Sequence, residues 1–206
     1  MSNILDGERH YGWISIVLHW LVGFLVIGAY FSGFQAGQIK EDFEMLEAQG
    51  NPALEQQIET LKGERSDLMR IHVGVASLFW LVLLARIVWR TRNGQLPAVP
   101  QQPEFLQHLA IWVPRLMLVL LTVMIFSGPM IIWSYGYPIS PFGLFKIPSP
   151  TGPIDGLGGN LSAIHIWTGH ILASLLLVHI LGTLKHLVID RNTRSLKRIT
   201  SPKQPS

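Results

Sequence analysis

Residues 162–189, SAIHIWTGHILASLLLVHILGTLKHLVI, set the class of fold to which this chain belongs. The stretch consists mainly of Ile, Leu, Val and Ala, and about 20 such residues at a rise of 1.5 Å each suffice to cross a bilayer. It nevertheless contains four histidines. An ionisable side chain inside an apolar span is costly and commonly faces the interior of a helix bundle. The stretch therefore predicts a membrane helix whose histidines take part in function.

Three earlier segments of the chain have the same apolar character. Only 14% of the 206 residues are charged, against roughly 25% in soluble domains, which argues against a soluble globular protein. The sequence predicts an all-α, integral membrane four-helix bundle with spans at 12–34, 72–89, 116–133 and 162–189. We expect a single membrane domain over residues 1–200 and a disordered tail at 201–206.

The distribution of lysine and arginine predicts the topology. Eleven of the 16 lie near the termini or in the connection between the second and third spans, and five lie in the other two connections. An even number of spans places both termini on one side, and the more basic side is cytoplasmic. Both termini are therefore expected in the cytoplasm. The excess of basic residues gives a pI of about 9.4 and is explained by the topology of the chain in a lipid bilayer. No nucleic-acid partner is therefore expected.

The two connections on the other side differ in character. Residues 35–71 form an insertion on the side opposite the termini, rich in Glu, Gln, Leu and Ala and interrupted at Gly50, Asn51 and Pro52. Its apolar residues recur at roughly helical spacing, which predicts two short amphipathic helices. Residues 135–161 are rich in Pro and Gly and predict an ordered irregular loop.

The chain has no cysteine and eight histidines. The absence of cysteine excludes disulfides, iron–sulfur clusters, Cys-based zinc sites and covalent attachment of haem through a C-x-x-C-H motif. A metal in this protein must then be held by histidine, carboxylate or methionine. The histidines are therefore the residues whose spacing carries the functional information.

Four histidines lie at matching depths within the apolar spans. His165 and His179 are fourteen residues apart on the fourth helix, which places them within about 40° of one face and about 21 Å apart along the axis. His72 begins the second helix on the outer side, and His19 lies about two turns inside the cytoplasmic end of the first. Depth therefore pairs His72 with His165 and His19 with His179. Two stacked bis-imidazole sites are typical of a dihaem b-type cytochrome, with two non-covalent haem b groups in the bundle core.

Arg86 is the second intramembrane feature to explain. It follows His72 by fourteen residues and so shares its face at the depth of the cytoplasmic-side site. One interpretation is an ion pair with a haem propionate. The other is an arginine whose head group reaches the cytoplasmic interface, as expected of ordinary topology charges.

His186 lies seven residues beyond His179, about 10 Å further toward the cytoplasm and beside Lys185. Donors at this depth would suit a quinone head group, because its carbonyls need hydrogen bonds and its reduction needs protons. The alternative is an interfacial histidine that contacts lipid head groups.

The remaining small and titratable residues allow plainer interpretations. Gly74 and Gly169 lie close to the histidines and would give a porphyrin room, but they equally suit helix packing. No role is assigned to His10, His108 or His170.

The chain resembles the bacterial cytochrome b561 family, the small four-helix dihaem b cytochromes of the inner membrane. The resemblance covers nearly the whole chain except the periplasmic insertion. It rests on SIVLHW (15–20), IHVG (71–74) with the later Arg86, SG (127–128), GYPISPFGL (136–144), and the stretch from IH (164–165) through HILGTLKH (179–186) to IDRN (189–192).

The resemblance implies several properties of this chain. It assigns the axial haem ligands to the same four histidines, and it implies a location in the bacterial inner membrane. It also implies electron exchange with ubiquinone near the cytoplasmic-side haem, close to His186. Two features depart from the family pattern, since the insertion at 35–71 is longer than in compact relatives and Arg115 follows Pro114 at the start of the third span.

The electron donor is open between two hypotheses. The resemblance implies either a quinone-linked electron carrier or a superoxide oxidase. A superoxide oxidase is an oxidoreductase that passes an electron from superoxide to ubiquinone. The two periplasmic connections carry five basic and nine acidic residues, a net charge of −4 that is unfavourable for steering an anion. Arg70 and Lys146 could still form a local positive funnel near the outer haem. The second hypothesis is a haem-bearing anchor subunit, which connects a periplasmic redox partner to the quinone pool. A histidine-lined metal transporter is disfavoured because the spans offer few carboxylates.

Overall fold

Four long helices make up most of the protein in the computed structural model, which describes residues 6, 11–93, 104–188 and 200. The side chains of residues 186 and 187 are outside this description. The helices are α1 (Trp13–Glu47), α2 (Glu55–Asn93), α3 (Glu104–Ser134) and α4 (Leu157–Val188). Each contains a stretch long and apolar enough to cross a membrane. The predicted all-α four-helix membrane class is confirmed, whereas the predicted tail at 201–206 lies outside the described residues.

The connection between α1 and α2 differs from the prediction of two short separate helices. Residues 35–47 continue α1 and residues 55–71 belong to α2, so the insertion consists of two helical extensions joined by a short turn. Nothing between 35 and 47 stops a helix, and the break comes only where Gly50 has a φ of 61° and Asn51 caps a 3-10 turn by accepting from the Ala53 N–H at 3.0 Å. At 1.5 Å per residue, the α1 extension is about 20 Å long. We call residues 35–71 the arm.

An exposed ion pair joins the two helical extensions of the arm. Lys62 on α2 reaches Glu47 on α1 at 2.9 Å and Glu59 on its own helix at 3.1 Å. Exposed pairs of this kind contribute roughly 0–1 kcal/mol each. They therefore add little to the stability of the arm.

The helices pack as two hairpins, α1 with α2 and α3 with α4. Within each hairpin the Cα atoms approach within 8 Å along the contact, whereas such approaches between the hairpins are rare over the described residues. The space between the hairpins is bridged at mid-depth by one buried apolar layer with side chains from all four helices. The layer consists of Val22, Phe79, Leu83, Leu121, Ile125 and Leu172.

The connection between α3 and α4 is an ordered irregular loop, as predicted. Two backbone hydrogen bonds between Ile139 and Ile147, at 2.8 and 2.9 Å, hold the middle of the loop. A 3-10 turn spans Pro141–Gly143. Within that turn Phe142 has a φ of 50°, a left-handed conformation that is costly for a bulky residue. Its ring lies directly over Gly74 of α2. We call this side of the bundle the loop end and the opposite side the termini end.

Candidate functional site

The loop end holds one pair of facing histidines. The ring centroids of His72 on α2 and His165 on α4 are 6.2 Å apart, with an angle of 86° between the ring planes. His72 Nδ1 lies 2.8 Å from the carbonyl oxygen of Ala29, which only accepts, so Nδ1 carries the proton. His165 Nδ1 lies 2.8 Å from Ser127 Oγ. Because both Nδ1 atoms are engaged, the Nε2 atoms are the nitrogens left for a ligand bond.

Glycines on the neighbouring helices allow these two rings to lie close to backbone. A Cβ on Gly33 of α1 would stand 2.9 Å from His72 Nδ1. A Cβ on Gly128 of α3 would stand 3.4 Å from His165 Cε1. The first position admits no side chain without displacing the imidazole, whereas the second is at the edge of ordinary contact.

The termini end holds the second pair. The ring centroids of His19 on α1 and His179 on α4 are also 6.2 Å apart, with an interplanar angle of 62°. Arg86 lies beside them, with Nη2 at 3.1 Å from His19 Nδ1 and Nη1 at 3.3 Å from the Leu18 carbonyl oxygen. A guanidinium only donates hydrogen bonds, so His19 Nδ1 is the acceptor in this arrangement. Arg86 therefore points at the histidine pair and not toward the interface.

The centroid distance of both pairs is compatible with one haem iron between two imidazoles. A first-row metal binds an imidazole nitrogen at about 2.0–2.1 Å, and the ring centroid lies about 1.2 Å behind that nitrogen, so two opposed ligands place their centroids about 6.4 Å apart. The observed 6.2 Å at each pair agrees with this value. The gap between the two hairpins is the place where a flat macrocycle would lie in the bundle core.

The buried apolar layer separates the two pairs. Leu172 lies midway along α4, seven residues from His165 and seven from His179. Phe79 lies seven residues from both His72 and Arg86 on α2. The layer therefore occupies the depth between the pairs and excludes water there, while the pairs remain about 21 Å apart along α4.

The other site residues predicted from the sequence differ in their exposure and contacts. Arg70 does not reach the loop-end pair, because it lies two residues from His72, about 200° around the helix. Its side chain is 61% exposed and pairs with Asp67 at 3.2 Å. Lys146 is exposed on the loop and Lys185 is half-buried on α4. The side chain of His186 lies outside the described residues.

The two glycines near the histidines are used in packing. Gly74 is covered by the Phe142 ring, and Gly169 has Met124 Cε at 3.7 Å from its notional Cβ. His170 belongs to neither histidine pair, because its Nδ1 contacts the Tyr30 hydroxyl at 3.2 Å. His108 is exposed, and His10 is outside the described residues.

The sequence reasoning missed several supporting residues. The carbonyl of Ala29 and the hydroxyl of Ser127 orient the loop-end histidines, and no local pattern announces a partner on another helix. Arg65 was also missed, although a signal was available, because it precedes His72 by seven residues and so shares its face.

A membrane four-helix bundle with two stacked histidine pairs is the architecture of a transmembrane b-type cytochrome. The profile of the prokaryotic cytochrome b561 family matches residues 10–202, and the chain belongs to that family. It is 26% identical over 205 residues to Cytochrome b561 homolog 2 of Escherichia coli (strain K12), covering 97% of this chain and 95% of the relative. Family membership makes the chain a multi-pass membrane protein with b-type haem and a role in electron transfer.

Proposed function

We propose that this protein passes electrons across the bacterial inner membrane through two b haems, between a donor at the loop end and ubiquinone at the termini end. The observation that carries the proposal is the repeated geometry of the two histidine pairs. Each has centroids 6.2 Å apart, and they lie at two depths on one face of α4. One such site would only bind a haem, whereas two at successive depths form a route.

In this proposal the four paired histidines are the axial ligands, and each haem iron supplies one-electron chemistry when bound. At the loop end the Ala29 carbonyl and Ser127 hydroxyl contact the Nδ1 atoms, so the Nε2 atoms are the nitrogens that would bind the iron. Such outer partners raise the basicity of a ligand imidazole. The buried layer around Leu172 keeps water out of the space between the sites.

Arg86 has a different task at the termini end. A neutral His19 that binds metal through Nε2 must carry its proton on Nδ1, and that N–H cannot accept a hydrogen bond from a guanidinium. Binding of a haem at this pair would therefore release Arg86 from the 3.1 Å contact and make it available to an anionic acceptor. A haem propionate beside His19 is the acceptor that the proposal supplies.

We propose that the termini end faces the cytoplasm, because the basic residues of the sequence are concentrated at that end. Lys185 and His186 lie one to two turns beyond His179 in that direction. We propose them as the polar groups nearest the ubiquinone head group.

The donor at the loop end has two candidates. Superoxide needs a positive approach, and Lys146 is the exposed basic residue on the loop. A periplasmic redox protein is favoured by the acidic arm, which extends about 20 Å beyond the predicted span and accounts for the whole net charge of −4 at this end. A basic partner surface would dock on such an arm and be steered toward it.

The ligand assignment is tested by haem content. His165→Ala and His179→Ala should each retain one haem per chain, whereas His170→Ala on the same helix should retain two. Pyridine haemochrome analysis of the purified proteins measures this ratio. One haem or none in the wild-type protein would contradict the proposal.

The donor is tested by stopped-flow mixing of the oxidised protein with superoxide in the presence of ubiquinone. Rapid reduction and reoxidation of the haem bands would establish superoxide as the donor. Inertness toward superoxide, together with copurification of a basic periplasmic protein, would establish the anchor function instead. No haem reduction by quinol or by either donor would refute the route.

A further inference from the structure

Two buried side-chain nitrogens at the loop end have no hydrogen-bond partner within the described part of the structure. They are Nε of Arg65 on α2 and Nε1 of Trp133 on α3. Both groups only donate hydrogen bonds. Buried donors are almost always satisfied, so an orphaned one calls for an explanation such as an absent ligand.

The two nitrogens belong to residues at one level of the bundle. Arg65 precedes His72 by seven residues, which puts it within about 20° of the same helix face and about 10 Å further toward the loop end. Trp133 follows Ser127, the hydroxyl partner of His165, by six residues and is therefore about 9 Å further in the same direction. Both residues thus lie about equally far beyond the loop-end histidine pair, on two different helices.

The ion pairs of the arm do not use Arg65. Within the described residues, the arm's salt bridges join Lys40 with Glu44, Lys62 with Glu47 and Glu59, and Arg70 with Asp67. These pairs are exposed, whereas Arg65 is half-buried with its Nε closed off from solvent. A cation placed there lacks a carboxylate from the arm.

We infer that Arg65 and Trp133 bind a propionate carboxylate of the haem held by His72 and His165. The inference rests on the proposed haem at that pair. A carboxylate provides acceptor oxygens for both donors, and its negative charge pairs with the guanidinium. In both proposed contacts the arginine comes from α2, but Arg86 lies at the level of its histidine pair, whereas Arg65 lies about 10 Å beyond the other pair.

The test is the midpoint potential of the loop-end haem, measured by spectroelectrochemical titration of purified protein and assigned with the His165→Ala variant. Arg65→Gln removes a nearby positive charge, which makes addition of an electron less favourable. We expect the equilibrium constant for reduction to fall about tenfold, a decrease of about 59 mV for a one-electron couple. The potential of the termini-end haem should stay unchanged.

Two matched variants make the result specific. Arg70→Gln makes the same charge change on the opposite face of α2 and should leave both potentials unchanged. Arg65→Lys keeps the charge but not the Nε donor, and should recover much of the potential if Arg65→Gln binds haem poorly. Trp133→Phe should alter the propionate bending band in resonance Raman spectra with a smaller change of potential.

Equal shifts in the Arg65 and Arg70 variants, or a shift confined to the termini-end haem, would overturn the inference. An unchanged Raman band in both the Arg65 and Trp133 variants would also overturn it. If His165→Ala removes no haem, the proposed function itself fails. If His165→Ala removes one haem and Arg65→Gln leaves the potential unchanged, only the present inference fails.

Discussion

Gly33→Ala should selectively weaken haem binding at the loop end. The added Cβ would lie 2.9 Å from His72 Nδ1 and 3.0 Å from Cε1, whereas ordinary contacts begin near 3.4 Å. The imidazole must therefore move by about half an ångström. Its Nδ1 is held at 2.8 Å from the Ala29 carbonyl, so the ring cannot move without disturbing that hydrogen bond.

The displacement is large on the scale that metal ligation tolerates. Ligand distances in a working site stay within about 0.2 Å of ideal, and overpacking of this kind costs about 1–3 kcal/mol. Each 1.4 kcal/mol corresponds to a tenfold change in affinity. We therefore expect a loss of haem affinity of about 5- to 150-fold at the His72 and His165 pair, with the other pair intact.

The assay is haem content and redox titration of purified Gly33→Ala, with Gly23→Ala as the control. Gly23 lies on the same helix and has nothing within 4 Å of a notional Cβ, so both variants gain the same helix propensity of about 1 kcal/mol. Retention of two haems with wild-type potentials in Gly33→Ala would refute the reasoning. Equal haem loss in Gly23→Ala would show that helix packing, and not the imidazole, is responsible.

Two further substitutions test the supports of the loop-end site. Ser127→Ala removes the hydroxyl beside the His165 imidazole and should lower haem affinity at that site by less than tenfold, since a single hydrogen bond contributes about 1 kcal/mol. Haem titration of the haem-free protein measures this affinity. An unchanged affinity would show that Ser127 does not support the site. Gly74→Ala places a Cβ against the Phe142 ring, where there is no room for it, and should destabilise the loop by about 1–3 kcal/mol. Faster proteolysis of the loop is the expected readout, and wild-type resistance would count against the packing described.

The histidine pairs were predictable because a membrane limits what helices can do. Apolar spans of known length fix the depth of each residue, and a period of 3.6 residues fixes which side chains share a face. His165 and His179 could thus be placed on one face and matched by depth to His72 and His19. The structure brings together the same partners, and their role as haem ligands stays a prediction until haem content is measured.

The arm shows where a pattern of residues was insufficient. Its amphipathic periodicity indicated helices correctly, but not whether they continued the spans. A helix ends where a residue breaks it, and the breaker is at Gly50 and not at the membrane boundary. The sequence contained this information, since residues 35–47 include no proline and a single glycine.

Sequence alone therefore settled the class of protein, the number of spans and the partners among the histidines, because these depend on hydropathy and on distance along regular helices. Only the tertiary structure decided which groups orient those histidines and which arginines lie near them. Arg70 is nearer to His72 in sequence than Arg65 is, yet it points into solvent. The Ala29 carbonyl and Ser127 hydroxyl act across helices, and such contacts depend on how each helix is rotated against its neighbours, which local periodicity does not specify.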